Sequence, residues 1–561
     1  MRARRWAGLA CAGAAWMAAA CPAGAADPGH RGGTLRLTAT VSGGSLDPQI
    51  AYEHENLQLE APVYDGLMAF PKSGPVRPGD GDQPIPDLAD GPPDIRDGGL
   101  TYVFRLRRGV RFSNGQELAA ADVAATMRRI FRVNSPAAGP YFGDLVGAGP
   151  CLKGGADCTL AGGVVADAAA GTVTFHLARP DPDFLYQLAF PQAAIVPADT
   201  PGADTGNIAP PGTGPYRITS YDPDRGLRME RNPYFHAWNP VAQPDGYPDR
   251  IEYDFGLDAE AEVTAVENGQ YDWMLDTPPG DRLGELGDRY TARVHISDMQ
   301  VVYYMELNVR RPPFDNPAVR RALNDAIDRH AVVIHEGGPA LALPSCGMLP
   351  RGLMGYDPAC AYGRGASAEH PAPSWQGPDM DRARALVRAS GTAGQAVSIV
   401  TQTAPVAIAI AGEVRDVLTA LGYRATTRAI TPTVEFSYLQ NTANDVQIGF
   451  TGWESDYPAP ASYLHTLFAC DSFHPGSDNS LNMSGLCDPA LDGAMRAASL
   501  AQMTDPARAD ALWRQVGRDV MAQAPVVPLV QTRRVDVVSA RVGHVAVSPY
   551  YLLLIAQLWV R

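Results

Sequence analysis

The sequence lacks any stretch of about 18 consecutive apolar residues, which a membrane-spanning helix requires. It also lacks a positive charge balance, because 46 Lys and Arg residues face 61 Asp and Glu residues and the net charge is −15. A surface of that sign disfavours nucleic acid or an anionic membrane as a partner. What is present is a chain of 561 residues with 45% hydrophobic and 19% charged content. That composition is typical of a globular protein, and the length predicts two or three lobes rather than one core.

Catalytic motifs are missing as well. The sequence has no GxxxxGK[ST] phosphate-binding loop, no GxGxxG after a predicted strand, and no G-x-S-x-G turn to present a nucleophilic serine. The nearest metal-like pair, His330 and His335, is spaced so that the rings fall on different faces of a helix, and HExxH is absent. We interpret both histidines as surface or capping residues. The sequence therefore predicts neither an enzyme nor a bound metal or cofactor.

The first residues have the pattern of an export signal. Three arginines within the first five positions precede an apolar stretch from Trp6 to Ala20, and Ala23-Gly24-Ala25 supplies an A-x-A cleavage site. The alternative is a lipoprotein signal with Cys21 as the lipidated residue, although the Leu usual three positions before such a cysteine is absent. We predict that residues 1–25 are removed and that the protein works in the periplasm.

Six cysteines remain after the signal, in three local pairs whose members are separated by loops containing Gly or Pro. An even number of cysteines in an oxidising compartment favours disulfides. The spacings fit neither CxxC redox motifs nor zinc sites. Six cysteines allow several connectivities, and local pairing is the one we predict: Cys151–Cys158, Cys346–Cys360 and Cys470–Cys487.

Helical and strand patterns alternate along the chain, which predicts a mixed α/β fold. Strands are expected within residues 32–40, 100–112 and 171–177. Asn316 followed by Pro317 is a helix-start signal, and Gly422 is a helix-stop signal. One amphipathic helix is indicated by apolar residues at the spacing of a single face, namely Val123, Met127, Ile130 and Phe131.

Seven segments occur in an order that resembles the family 5 extracytoplasmic solute-binding proteins of ABC importers, the peptide, dipeptide and nickel group. The resemblance extends from about residue 31 to residue 561. Together the segments are strong evidence for the family and weaker evidence for a ligand. They are GGTLRL (32–37), SLDPQ (45–49), VYDGLMAF (63–70), LTYVFRLRRGVRFSNGQELAAADV (100–123), GTGPYRITSYDPDRGLRMERNPYF (212–235), YYMELNV with PPFDNPAVRRALNDAIDR (303–329) and GWESDYPAP (452–460).

This resemblance implies two α/β lobes joined by a hinge, with an extra domain inserted in the first lobe. The ligand is enclosed as the lobes close. On that pattern lobe I comprises residues 31–66, 206–302 and 535–561, the inserted domain comprises 67–205, and lobe II comprises 303–534. The implied partners are a peptide or peptide-like solute and the permease and ATPase complex of the inner membrane. A monomer is expected.

The resemblance also implies a ligand anchor. In peptide-binding relatives the acid of the G-W-x-x-D-Y motif pairs with the ligand's α-ammonium group, and that acid is Asp456 here. Trp453 and Tyr457 are expected to form flat walls beside it. The alternatives for Asp456 are capping of a helix that begins near Ala461 or pairing with an internal Arg. Three further residues complete the predicted ligand site: Tyr304, Tyr141 and Asn56.

Two departures from the family pattern concern the other end of the ligand. Peptide-binding relatives usually supply a basic residue for the ligand's carboxylate from the strand and loop that match residues 400–411, and this stretch has no Arg, Lys or His. The second pocket Trp of those relatives falls near Glu435. The alternatives therefore include a longer peptide held by backbone contacts, an amine-bearing metabolite, an opine-like or sugar-like compound, a metal chelate, or a role as ligand-sensing partner of a membrane receptor.

Overall fold

The computed structural model describes residues 28–51, 54–73, 83–154, 158–454, 456–476, 480–548 and 550–561. The predicted export signal, including Cys21, lies outside these ranges. Within them, no helix combines the length and the apolar character that crossing a bilayer requires.

The strands are β1 (Thr34–Ala39), β2 (Met68–Ala69), β3 (Ile85–Pro86), β4 (Asp94–Arg96), β5 (Thr101–Arg105), β6 (Val164–Asp167), β7 (Thr172–His176), β8 (Tyr216–Asp222), β9 (Gly226–Arg231), β10 (Arg250–Phe255), β11 (Trp273–Met274), β12 (Val294–Leu307), β13 (Ala342–Pro344), β14 (Ala396–Gln402), β15 (Arg424–Ile430), β16 (Ile448–Glu454), β17 (Val526–Val537), β18 (Val542–Gly543), β19 (Val547–Ser548), β20 (Leu552–Leu553) and β21 (Trp559–Val560). The helices are α1 (His54–Glu60), α2 (Ala120–Arg132), α3 (Ala138–Phe142), α4 (Ala148–Leu152), α5 (Phe184–Gln187), α6 (Ala259–Glu267), α7 (Leu283–Tyr290), α8 (Pro317–Ala326), α9 (Arg329–His335), α10 (Met380–Ser390), α11 (Pro405–Ala420), α12 (Pro432–Gln440), α13 (Ala461–Phe468), α14 (Pro489–Gln502) and α15 (Pro506–Gln523).

A five-stranded sheet joins distant parts of the chain, in the order β11-β1-β10-β9-β8. Strand β1 pairs in parallel with β10 and β11, whereas β9 is antiparallel to both of its neighbours. Alternation along β1 buries Leu35 and Leu37, which share a core with Trp273 and with Leu558 near the C-terminus. These strands and core residues fall in the segments predicted as lobe I.

A six-stranded sheet has the order β13-β17-β12-β16-β14-β15. Its longest strands, β12 with 14 residues and β17 with 12, form an antiparallel ribbon. One end of this ribbon reaches the five-stranded sheet, where the indole of Trp273 donates a hydrogen bond to Asp536 at 3.0 Å. The ribbon therefore connects the two sheets. The predicted lobe boundaries fall inside both of its strands and stay a prediction.

A four-stranded antiparallel sheet, β4-β5-β7-β6, packs with α2 in a third core. Helix α2 begins where the Asp122 carboxylate accepts a hydrogen bond from the Ala119 amide at 2.8 Å. The predicted apolar face of α2 is confirmed, because all four of its residues are buried: Val123, Met127, Ile130 and Phe131.

The helix-start and helix-stop signals are confirmed, with two local corrections. The Asn316 side chain accepts a hydrogen bond from the Ala318 amide at 2.9 Å and begins α8. The apolar residues Val319, Leu323, Ala326 and Ile327 predict a single stripe of that helix, but the helix ends at Ala326. Ile327 is extended, and Asp328 caps the separate helix α9. Residues 400–411, expected as a strand and loop, are the end of β14 and the first turns of α11. Pro405 at the first helical position explains this early start.

The three predicted disulfides are confirmed. Cys151 bonds to Cys158, Cys346 to Cys360, and Cys470 to Cys487. Each bond joins cysteines no more than 17 residues apart, so each bond closes a local loop.

Candidate functional site

The G-W-x-x-D-Y segment lies at the carboxyl end of β16, an interior strand of the six-stranded sheet. Strand β16 lies between β12 and β14, with Trp453 opposite Val302 and Thr451 opposite Tyr304. Because β14 is parallel to β16, the carboxyl ends of both strands meet at the same edge. In open α/β sheets ligands bind in the crevice outside the carboxyl ends of the strands. The geometry therefore makes this edge the candidate site.

Trp453 is partly buried near the end of β16. Its indole nitrogen donates a hydrogen bond to the Ser462 carbonyl at 2.7 Å, and its ring packs against a core that includes Tyr304 and Leu464. This contact ties the end of the strand to the first turn of α13 and fixes the connection that carries Asp456.

Asp456 lies in that connection and is partly buried. Helix α13 begins after Pro460, whose own side chain makes no capping hydrogen bond. Capping by Asp456 and its pairing with an internal Arg stay alternatives to the predicted role in ligand binding. The position of Asp456 at the carboxyl edge of the sheet supports that role as the proposal.

Tyr457 contacts the four-stranded unit, by which we mean the four-stranded sheet and the residues that share its core, including Tyr186. Its hydroxyl donates a hydrogen bond to Asp183 Oδ2 at 3.2 Å. Its ring packs edge-to-face on Tyr141, with centroids 5.8 Å apart, and lies 6.0 Å from the ring of Tyr186. Gln502 donates to the other Asp183 oxygen at 3.4 Å. The structure thus brings two predicted site residues, Tyr141 and Tyr457, into direct contact.

Asp183 is a buried acid in this contact. Burial raises its pKa to about 7, and the negative charge of Asp181 adds to that effect. Burial also raises the pKa of Tyr457 well above its usual value, and the charge of Asp183 raises it further. Both groups are therefore stabilised in their neutral forms where the two units touch.

The two remaining predicted residues lie deeper. Tyr304 is fully buried, whereas its neighbour Tyr303 is 42% exposed. Asn56 is buried in α1, and its amide donates a hydrogen bond to the Gly43 carbonyl at 2.6 Å. Asn56 therefore supports the loop that carries Gly43. Ligand contact by Tyr304 and Asn56 stays a prediction.

A pocket of about 190 Å³ lies beside the same sheet edge. It is formed by the end of β14, the middle of β16, the start of α11, and residues of β12, β17, α12 and the C-terminal part of α9. Its polar lining includes Thr401, Gln402, Glu336 and Glu435, with both Tyr303 and Tyr304 on its wall. A liquid water occupies about 30 Å³, so the pocket is large enough for a ligand group.

The electrostatic character of this pocket is acidic. Burial raises the pKa of Glu435, while the hydrogen bond from Gln402 opposes that rise. Burial also raises the pKa of Glu336. The pKa of Tyr303 is raised by burial and then by the charges of Glu336, Glu435 and Glu454. Sequence reasoning placed Glu435 near a ligand-contacting position of the family but did not assign it to the site.

Comparisons with known proteins agree with this architecture. The family model described as "Bacterial extracellular solute-binding proteins, family 5 Middle" matches residues 83–474. The dipeptide-binding protein of Pseudomonas aeruginosa is 26% identical over 566 residues, covering 96% of each chain. The probable ABC transporter periplasmic-binding protein SapA of Escherichia coli is 25% identical over 493 residues, covering 83% of this chain and 82% of that protein. Among solved structures, "Clavulanic acid biosynthesis oligopeptide binding protein 2" has a TM-score of 0.81 and 28% identity, covering 95% of this chain and 96% of that one.

Proposed function

Because the chain belongs to family 5 of the bacterial extracellular solute-binding proteins, we propose that it captures a peptide and delivers it to a membrane permease. The role as substrate-binding component of an ABC import system is supported by relatives that span most of the chain. A peptide ligand is supported by relatives named as dipeptide-binding and oligopeptide-binding proteins. Capture and release require no chemical step. We propose that the protein acts in the periplasm as a monomer, with a permease and ATPase complex as its partner.

The anchor we propose for the ligand is Asp456. A carboxylate at the carboxyl edge of the sheet is stabilised most by a cation. An ammonium group offers three donors for charge-assisted hydrogen bonds. Trp453 and Tyr457 flank this acid and are held in place by their contacts with Ser462 and Asp183. The observation that carries the proposal is the position of Asp456 in the family's motif at the carboxyl end of β16.

Lobe closure would occur about the β12–β17 ribbon. The ribbon connects the five-stranded and six-stranded sheets, and the predicted boundaries of lobe I and lobe II fall within it. Hinges of this kind absorb backbone rotation at a few residues while packed cores move as rigid bodies. We therefore propose that residues 31–66, 206–302 and 535–561 move as one lobe relative to 303–534, with 67–205 as the inserted domain.

Native mass spectrometry of the protein purified from its host tests the ligand class. We expect bound species whose masses correspond to short peptides, identified by fragmentation after denaturation. Release of only a sugar, a bile-acid-like compound or a metal chelate would contradict the peptide proposal.

A charge-removing variant tests the anchor. Asp456→Asn keeps the shape of the side chain, so we expect a loss of peptide affinity of about tenfold or more, since a charged hydrogen bond contributes about 1.5–3 kcal/mol. The matched control is the same peptide with an acetylated N-terminus, measured by calorimetry. Acetylation should weaken binding to the parent protein and change little in the variant. Equal losses on acetylation in both proteins would show that Asp456 does not hold the ammonium group.

A further inference from the structure

The pocket beside β14 and β16 carries acids and no base. Glu336 and Glu435 line it, and none of the described lining residues is Lys, Arg or His. A peptide carboxylate has no cationic partner there. A ligand group that enters this pocket must therefore be recognised by other chemistry.

Glu435 supplies the strongest polar feature of this pocket. It is only 3% exposed, and its Oε2 atom accepts a hydrogen bond from the Gln402 amide. Its Oε1 atom is buried and has no hydrogen-bond partner among the described residues. A buried carboxylate oxygen without a donor costs free energy. A donor that arrives with a ligand would remove that cost.

The N-terminus of α11 favours a negatively charged ligand, which is opposite to the effect of the acids, but its contribution is weaker. Its first turn borders the pocket, with Ala404, Val406 and Ala407 on the wall. A helix N-terminus carries about half a positive charge, and Pro405 contributes no amide donor there. The pocket has two carboxyl groups beside that partial charge, and a bound cation would favour their ionised forms. The pocket is therefore better suited to a cation than to an anion.

Exposed apolar side chains share the pocket wall with the acids. Tyr303 is 42% exposed and Val406 41%, and both line the pocket. Exposed apolar residues on the wall of a concave site are typical of a ligand-binding surface. An apolar entrance above a buried acid fits a cation on an aliphatic stem.

We propose that this pocket binds the ammonium or guanidinium group of a Lys or Arg side chain in the bound peptide, with Glu435 as its principal partner and Glu336 as the second. This inference rests on the proposed peptide-binding function. Thr451 lines the pocket, and Asp456 follows it by five positions, so at most about 18 Å of chain separates them. A peptide held at its N-terminus by Asp456 reaches the pocket with a side chain within about its first four residues.

The test uses alanine tetrapeptides with one guest residue at position 2, 3 or 4. The guest is Lys, norleucine, which has a similar aliphatic stem and no charge, or Glu. Calorimetry with the full mature chain, freed of co-purified ligand, should show about tenfold or tighter binding of the Lys peptide over the norleucine peptide at one position. Glu435→Gln should remove that preference, so that the Lys and norleucine peptides bind the variant with equal affinity. Asp416→Asn, an exposed acid in the same helix as Val406, should leave the preference intact.

Each outcome separates this inference from the proposed function. Peptides that bind equally well with Lys and norleucine at every position overturn the acidic-pocket inference and leave peptide capture standing. The same holds if neither Glu435→Gln nor Glu336→Gln reduces the preference. If no peptide binds but 1,5-diaminopentane does, and Glu435→Gln abolishes that binding, the pocket stands and peptide capture is wrong. If neither probe binds, the inference is wrong.

Discussion

The contact around Tyr457 and the pocket around Glu435 lie at the same edge of one sheet, and each contains a buried acid. Asp183, in the contact, receives hydrogen bonds at both carboxylate oxygens, from Tyr457 and Gln502. Glu435, in the pocket, receives one from Gln402 and has a second oxygen without a described partner. Rings fill the space around Tyr457, whereas the pocket is open.

This difference indicates that the contact around Tyr457 contributes mainly to stability and the pocket around Glu435 mainly to ligand binding. A satisfied acid that is hydrogen-bonded to a tyrosine packed among aromatic rings stabilises the contact between the four-stranded unit and the six-stranded sheet. An acid with an unused oxygen, in a pocket open to solvent, retains interaction energy that a ligand can use. Changes at the contact should therefore alter stability and its pH dependence, and changes in the pocket should alter ligand selection.

Filling the pocket should have the largest effect. Ala407→Phe places a ring in a space of about 190 Å³, and we expect about a hundredfold loss of affinity for the preferred ligand, or about 2.7 kcal/mol. The thermal midpoint should change little, because Ala407 is only partly buried and borders the open space of the pocket. Ala420→Phe, at an exposed position in the last turn of the same helix, is the matched control for calorimetry. Unchanged binding by Ala407→Phe would show that ligands do not enter this pocket.

Removing the charge of Asp183 should have a smaller effect, which is visible in the pH dependence of the protein's stability. The pKa of Asp183 is about 7 in the folded protein and about 3.9 in an unfolded chain. Between these values the folded state binds the proton more tightly, so the contribution of Asp183 to stability is greatest at low pH and decreases as pH rises towards 7.

Asp183→Asn should therefore reduce the decrease in thermal midpoint between pH 5 and pH 8 and raise the midpoint at pH 8 by about a few degrees. Calorimetric scans of parent and variant at both pH values measure this difference. Asp416→Asn serves as the control at an exposed site. Parallel pH curves for the parent protein and Asp183→Asn would mean that Asp183 is already ionised in the folded contact.

Local signals in the sequence predicted much of the fold. The four apolar residues of α2 recur at helical spacing and are all buried. Asn316 caps α8, the helix that follows it directly. The disulfides were predictable because each closes a short loop. Family motifs identified Asp456 and its neighbours as the candidate anchor.

The features that distinguish the two regions depend on contacts between distant residues. Tyr457 and Asp183 are 274 positions apart, and neither has a local pattern that indicates the other. Glu435 is followed and preceded by exposed apolar residues, so its burial comes from packing of α12 against the end of β14. The break between α8 and α9 was missed because the apolar stripe continues through Ile327 while the cap at Asp328 interrupts the backbone.

A crystal structure with the preferred Lys-containing tetrapeptide tests the central claim most directly. We predict the peptide's α-ammonium group against Asp456 and the Lys ammonium within about 2.8 Å of the free Glu435 oxygen, with the side-chain stem against Tyr303 and Val406. A Lys side chain directed into solvent, with the pocket filled by water or by another part of the peptide, would contradict the account.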